Sequence, residues 1–148
     1  MSKPAGWTEP IAVSERSWCD FWTGKFDQGS IVLMLPVEIP SLNRLIRAHY
    51  RRRRAQQTAF AWALVAAFGE TPAETPGFKV RVLIESFRKS LLDEDNLAGG
   101  CKLLLDAMRE CNFIRDDAPA WLELEVKQWK VQAHAQTRLT ISRAGKEL

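Results

Sequence analysis

The residues with the clearest chemical potential are two pairs of aspartates. Asp93 and Asp95 stand two apart just ahead of a helix-like stretch, and Asp116-Asp117 follow the same stretch. If the first pair is locally extended, both side chains point to one side. A helix returning across a sheet can bring the two pairs together. Converging carboxylates suit Mg²⁺ or Mn²⁺, which prefer oxygen ligands. Such ions polarise a phosphodiester and generate hydroxide for in-line attack. A plainer alternative stays open: D-x-D before a helix, or Asn96 after it, can simply cap that helix and offset its dipole. Paired aspartates also suit a turn. Lys102 and Asp106 lie four apart, away from the apolar stripe. They read either as a surface pair or as a lysine that steadies charge developing on a phosphorane.

The second chemical feature is basic. Between Glu38 and Glu70 there is no acid, while Arg44, Arg47, Arg51, Arg52, Arg53 and Arg54 all fall there. Net charge is only +3, so the asymmetry is local. Four successive helical arginines cannot share one stripe. Some of them must face whatever the basic side binds, and phosphate is the natural partner.

These groups need a scaffold. A chain of 148 residues makes one domain and buries roughly 70% of its unfolded surface. Cys19, Cys101 and Cys111 are odd in number and lack C-x-x-C spacing. That argues against a disulfide framework or thiolate zinc and suits a reducing compartment. The longest apolar run, Ala59 to Phe68, falls well short of the roughly 20 residues that span a bilayer. The expectation is a soluble, cytoplasmic protein without membrane partners. Residues 1–28 read as a partly packed extension carrying Trp7, Trp18, Phe21 and Trp22, and 29–148 as the functional domain.

Within that domain, Ile31–Val37, Phe78–Phe87, Trp121–Val131 and Thr137–Ser142 read as strands. Leu42–Phe68 reads as a helix, kinked near His49, capped by Ser41 and stopped at Gly69. Leu97–Glu110 reads as a second helix, with Leu97, Cys101, Leu104, Leu105 and Met108 on one stripe. Gly99-Gly100 weakens it by roughly 1 kcal/mol per glycine. A close backbone approach to a neighbour or ligand would compensate. The order β-α-β-α-β-β predicts an α/β domain: a mixed sheet of about four strands with two helices. Phe60, Trp62, Leu64 and Phe68 are either buried against the sheet or part of a dimer interface.

Taken together these features resemble the RusA family of Holliday junction resolvases, common in phages and prophages. The resemblance rests on Asp93-x-Asp95-Asn96, Lys102-xxx-Asp106 and Asp116-Asp117 with the apolar helix between, and on Pro40-Ser41-Leu42-Asn43-Arg44 after the first strand. It spans about Ile31 to Ser142. It implies a RusA-like fold and a homodimeric, Mg²⁺-dependent endonuclease acting on four-way DNA junctions in recombination and repair. By motif, Asp93, Asp95 and Asp117 resemble the metal-binding acids and Lys102 the catalytic lysine; Asn96, Asp106 and Asp116 match positions without assigned roles. Six residues separate Asn96 from Lys102 rather than three, as if an insertion containing Gly99-Gly100 had entered. Arg44, Arg47 and Arg51 to Arg54 would then hold DNA phosphates. The other expectations are a non-catalytic junction binder and a small metal-dependent phosphohydrolase.

Overall fold

Alternating apolar residues make the strands, and glycine, proline and capping side chains divide the helices. The chain runs β1 (Ser30–Leu35), α1 (Leu42–Arg47), α2 (Tyr50–Phe68), β2 (Val80–Arg88), α3 (Glu94–Gly100), α4 (Lys102–Glu110), β3 (Leu122–Lys130) and β4 (Gln136–Arg143) in a computed structural model. The structure describes residues 30–145; the expected packing of residues 1–28 lies outside them.

The strands form one mixed sheet in the order β1-β4-β2-β3. β4 is antiparallel to both neighbours, while β2 and β3 are parallel. A parallel pair needs a crossover, and here α3 and α4 provide it. The α/β class and the four-stranded mixed sheet agree with the sequence expectation. Ile31, Leu33, Val82, Ile84, Leu139 and Ile141 share one face by their pairing register. Together with Phe60 and Leu64 of α2 and Leu104 and Met108 of α4 they build the core. Cys101 belongs to this core; burial pushes its thiol up to about 12, so it packs rather than reacts.

The opposite face of the sheet carries a buried ion pair. Arg138 donates from Nε to Glu85 Oε1 (3.0 Å) and from Nη2 to Oε2 (3.0 Å), and Trp129 Nε1 donates to Oε2 (2.9 Å). Burial pushes the Glu85 carboxyl up, but the Arg138 and Trp129 hydrogen bonds outweigh it and hold the group below its ordinary range.

Both expected helices are divided. The kink foreseen near His49 is a full break: Ala48 and His49 are extended, with ψ of 140° and 147°. His49 Nδ1 accepts the Arg51 amide (3.2 Å) and so caps a new helix. Ser41 caps α1, its Oγ accepting the Arg44 amide (3.1 Å). Gly69 ends α2 in the left-handed region (φ 99°). The second expected helix starts earlier, at Glu94, and breaks at Cys101.

Gly99 and Gly100 explain how α3 is placed. A Cβ on Gly99 would come within 2.7 Å of Leu42 Cδ2, and one on Gly100 would collide with the Pro40 carbonyl oxygen. The anticipated close approach is therefore to a neighbouring backbone, the turn that leads into α1. Arg88, only 5% exposed, fixes that turn from below. It pairs with Glu38 (2.9 Å) and donates to the Ile39 carbonyl (2.8 Å).

Candidate functional site

Asp93 is the N-cap of α3. Its Oδ1 accepts the Asn96 amide (2.9 Å) and its Oδ2 the Asn96 Nδ2 (3.1 Å). The expected extended D-x-D pair is thus replaced. Asp93 is extended (ψ 161°), but Asp95 already lies in the first turn of the helix, so the two side chains do not share the side of a strand. Both carboxylates favour the positive end of the helix dipole. Asp95 is exposed, and its side chain has no hydrogen-bond or ion-pair partner among the described residues.

Asn96 has a different task from the capping one considered. It takes the cap from Asp93, and its Oδ1 accepts the Asn43 amide (3.2 Å). That bond ties the first turn of α1 to the first turn of α3. The S-x-N-R and D-x-D-N segments, 53 residues apart along the chain for that bonded pair, therefore form one local structure.

A second group surrounds the start of α4. Lys102 Nζ lies 3.2 Å from Asp117 Oδ2 and 3.2 Å from Asp106 Oδ1. Arg109 reaches Asp106 (3.7 Å) and Asp116 (3.8 Å). The Asp117 amide donates to Asp116 Oδ1 (2.8 Å). The hydrogen bond to Asp117, then that to Asp106, holds the Lys102 ammonium above its ordinary value. The same bond from Lys102, then side-chain hydrogen bonding with Asp116, holds the Asp117 carboxyl below its own. The expected pair with Asp106 within the helix is present, and Lys102 also reaches Asp117 in the turn that follows. Arg109 was not singled out from sequence, although its i,i+3 spacing from Asp106 is a signal that could have found it.

The chain thus holds Lys102, Asp106, Asp116 and Asp117 together, and Asp93, Asp95 and Asn96 together. Asp95 lies in the first turn of α3, whereas Lys102 begins α4, beyond the break at Cys101. Among the described residues no three His, Cys, Asp or Glu side chains gather to hold a metal ion. Carboxylate oxygens fit a hard divalent cation in kind. In this arrangement the Lys102 ammonium pairs with both Asp117 and Asp106.

Four of the six arginines, Arg44, Arg47, Arg52 and Arg53, line a groove of about 990 Å³ between α1, the turn before it and the start of α2, together with the paired Glu38 and Arg88. Arg44 and Arg47 form one wall, Arg52 and Arg53 the other. All six are exposed, and none forms an ion pair with another described residue. Arg51 to Arg54 occupy the first turns of α2, where no acid offsets the dipole. Cations at that end oppose the helix dipole and repel one another.

Of the four aromatic and apolar α2 residues, Phe60 and Leu64 are fully buried, and Phe68 packs edge-on against Phe113 at 5.2 Å. Trp62 alone points outward, 74% exposed. No described helix is long and apolar enough to cross a membrane. No family model and no curated protein matches this chain.

Proposed function

We propose that this protein is a metal-dependent, structure-selective DNA endonuclease that acts on four-way junctions as a homodimer. The observation that carries the reading is the joining of a groove lined by Arg44, Arg47, Arg52 and Arg53, none of them ion-paired with a described residue, to an acidic turn by one bond, Asn43 to Asn96. A phosphate backbone held by Arg44 in the groove passes beside the helix start that bears Asp93 and Asp95. Acids there would repel DNA unless a cation joined them.

We assign Asp93, Asp95 and Asp117 to Mg²⁺ or Mn²⁺, which when bound would polarise the scissile phosphodiester and supply hydroxide. The chain's own residues do the rest. The groove arginines hold and orient the strand. Asn96 keeps Asp93 aimed and locks the acidic turn to the groove. Lys102, once released from Asp117, offers a positive charge to the phosphorane. A two-fold dimer matches the approximate two-fold symmetry of a junction, placing one acid group at each of two opposed strands.

A second reading, a junction binder that does not cut, draws on the Lys102 pairs, because they already satisfy Asp117 and Asp106. One experiment separates the two: cleavage of a labelled four-way junction with Mg²⁺, Mn²⁺ or EDTA, beside the Asp95→Asn variant. Paired nicks that vanish with EDTA and in the variant support the nuclease. Binding without nicks under either ion supports the binder. Normal cutting by Asp95→Asn refutes the acid assignment.

A further inference from the structure

We infer that the arginine run is divided between two arms of a branched nucleic acid, and that Arg51 and Arg54 supply the selectivity for branching. This rests on the DNA reading above and adds which residues distinguish a junction from a linear duplex.

The division is geometric. Arg52 and Arg53 line the groove with Arg44 and Arg47, whereas Arg51 and Arg54 do not. At roughly 100° per residue, the mean direction of Arg51 and Arg54 lies roughly 180° around α2 from that of Arg52 and Arg53. Arg51 is turned towards Tyr50, its guanidinium 5.9 Å from the ring centre and its Nε 3.4 Å from the hydroxyl. One pair therefore faces into a walled groove and the other faces open solvent on the far side of the helix.

A helix pushed into a single major groove can also place arginines on both flanks, one for each strand. That arrangement needs both flanks free. Here α1 stands beside the inner flank, and Arg44 and Arg47 complete the groove wall. A single duplex seated against the inner groove leaves the outer pair without a phosphate. A second arm diverging past the start of α2 supplies one. The polyanion that satisfies both faces is therefore branched.

The test compares Arg51→Gln/Arg54→Gln with Arg52→Gln/Arg53→Gln and wild type. Affinities for a four-way junction and for a linear duplex of equal length are measured in EDTA across a salt series. Removing two phosphate contacts lowers the slope of log K against log salt by about 2. The outer variant is expected to show that drop on the junction only, with duplex binding unchanged. The inner variant is expected to lose slope on both. Gln relieves repulsion at the positive helix end, so neither variant should melt below wild type. If the outer variant weakens duplex and junction equally, α2 enters one groove and the division is wrong. If it weakens neither, Arg51 and Arg54 do not contact DNA and the division is again wrong. Wild type that holds the junction no tighter than the duplex removes the DNA-junction reading itself.

Discussion

Gly100→Ala tests the joint that aligns the acidic turn with the arginine groove. An alanine within a helix is ordinarily favoured over glycine by about 1 kcal/mol. At Gly100 the new Cβ would collide with the Pro40 carbonyl oxygen and lie 3.2 Å from Ile39 Cγ2. Those atoms are not free to move. Arg88 Nη1 holds the Ile39 carbonyl at 2.8 Å, and Arg88 itself pairs with Glu38. Overpacking costs typically about 1–3 kcal/mol, and a pinned backbone belongs at the upper end. The balance is a net loss of about 2 kcal/mol, a fall in melting temperature of about 4–8 °C for a domain of this size. Gly77→Ala, with nothing within 4 Å of its Cβ, serves as the control and should stay near wild type. Thermal denaturation followed by circular dichroism reads both. Junction affinity should fall with Gly100→Ala as well, because the displaced turn carries Ser41 and Asn43 away from Asn96. A melting temperature at or above that of wild type would falsify the argument, since it would mean that helix propensity outweighs the contact.

Other substitutions separate structure from chemistry. Asp93→Asn keeps a capping side chain and should melt near wild type yet fail to cleave, whereas Asp93→Ala should lose about 1 kcal/mol of stability as well; equal melting of the two excludes the capping role. Lys102→Met removes the first cause of the low Asp117 pKa, so a carbon-detected NMR titration should find that carboxyl moving up towards its ordinary value; no movement refutes the pair. Glu85→Gln should cost about 2 kcal/mol at neutral pH, because it leaves the Arg138 guanidinium without its carboxylate. The Glu85 pKa is depressed on folding, so its contribution is present above the ordinary value of 4.5 and fades as pH falls below it. Urea melts of both proteins should therefore converge in acid, and a deficit independent of pH excludes an ionic origin. Ser41→Ala should cost about 1 kcal/mol and weaken junction binding with it, by loosening the helix that carries Arg44 and Arg47; unchanged affinity would detach α1 from the groove.

The strands were legible because a half-buried sheet writes its burial into alternate residues: β1 alternates along its whole length, and β2 does so at its start before its last five residues are all buried. The helix divisions were not. Ala48 and His49 are compatible with a helix by propensity alone; what breaks it is the His49 ring accepting the Arg51 amide, a choice that composition does not announce. Gly99-Gly100 was readable as a demand for close approach, since two glycines early in a helix call for a compensating contact. Its partner, a carbonyl some sixty residues earlier in the chain, could come only from the fold. The same limit governs the acids. Spacing along the chain placed Asp93 and Asp95 beside one another and Asp117 beyond a helix. It could not say that a break at Cys101 would set Lys102 at the start of a new helix, facing Asp117 and not Asp95. The arginines reverse the case. Their excess was plain in the sequence, and the structure adds direction. Six like charges are unpaired with any described acid, four of them at the unfavourable end of a helix dipole, and the proposed phosphate partner would neutralise them. On that proposal the joint between Asn43 and Asn96 would bring the incoming charge beside the acidic turn and make the groove and the acids parts of one site.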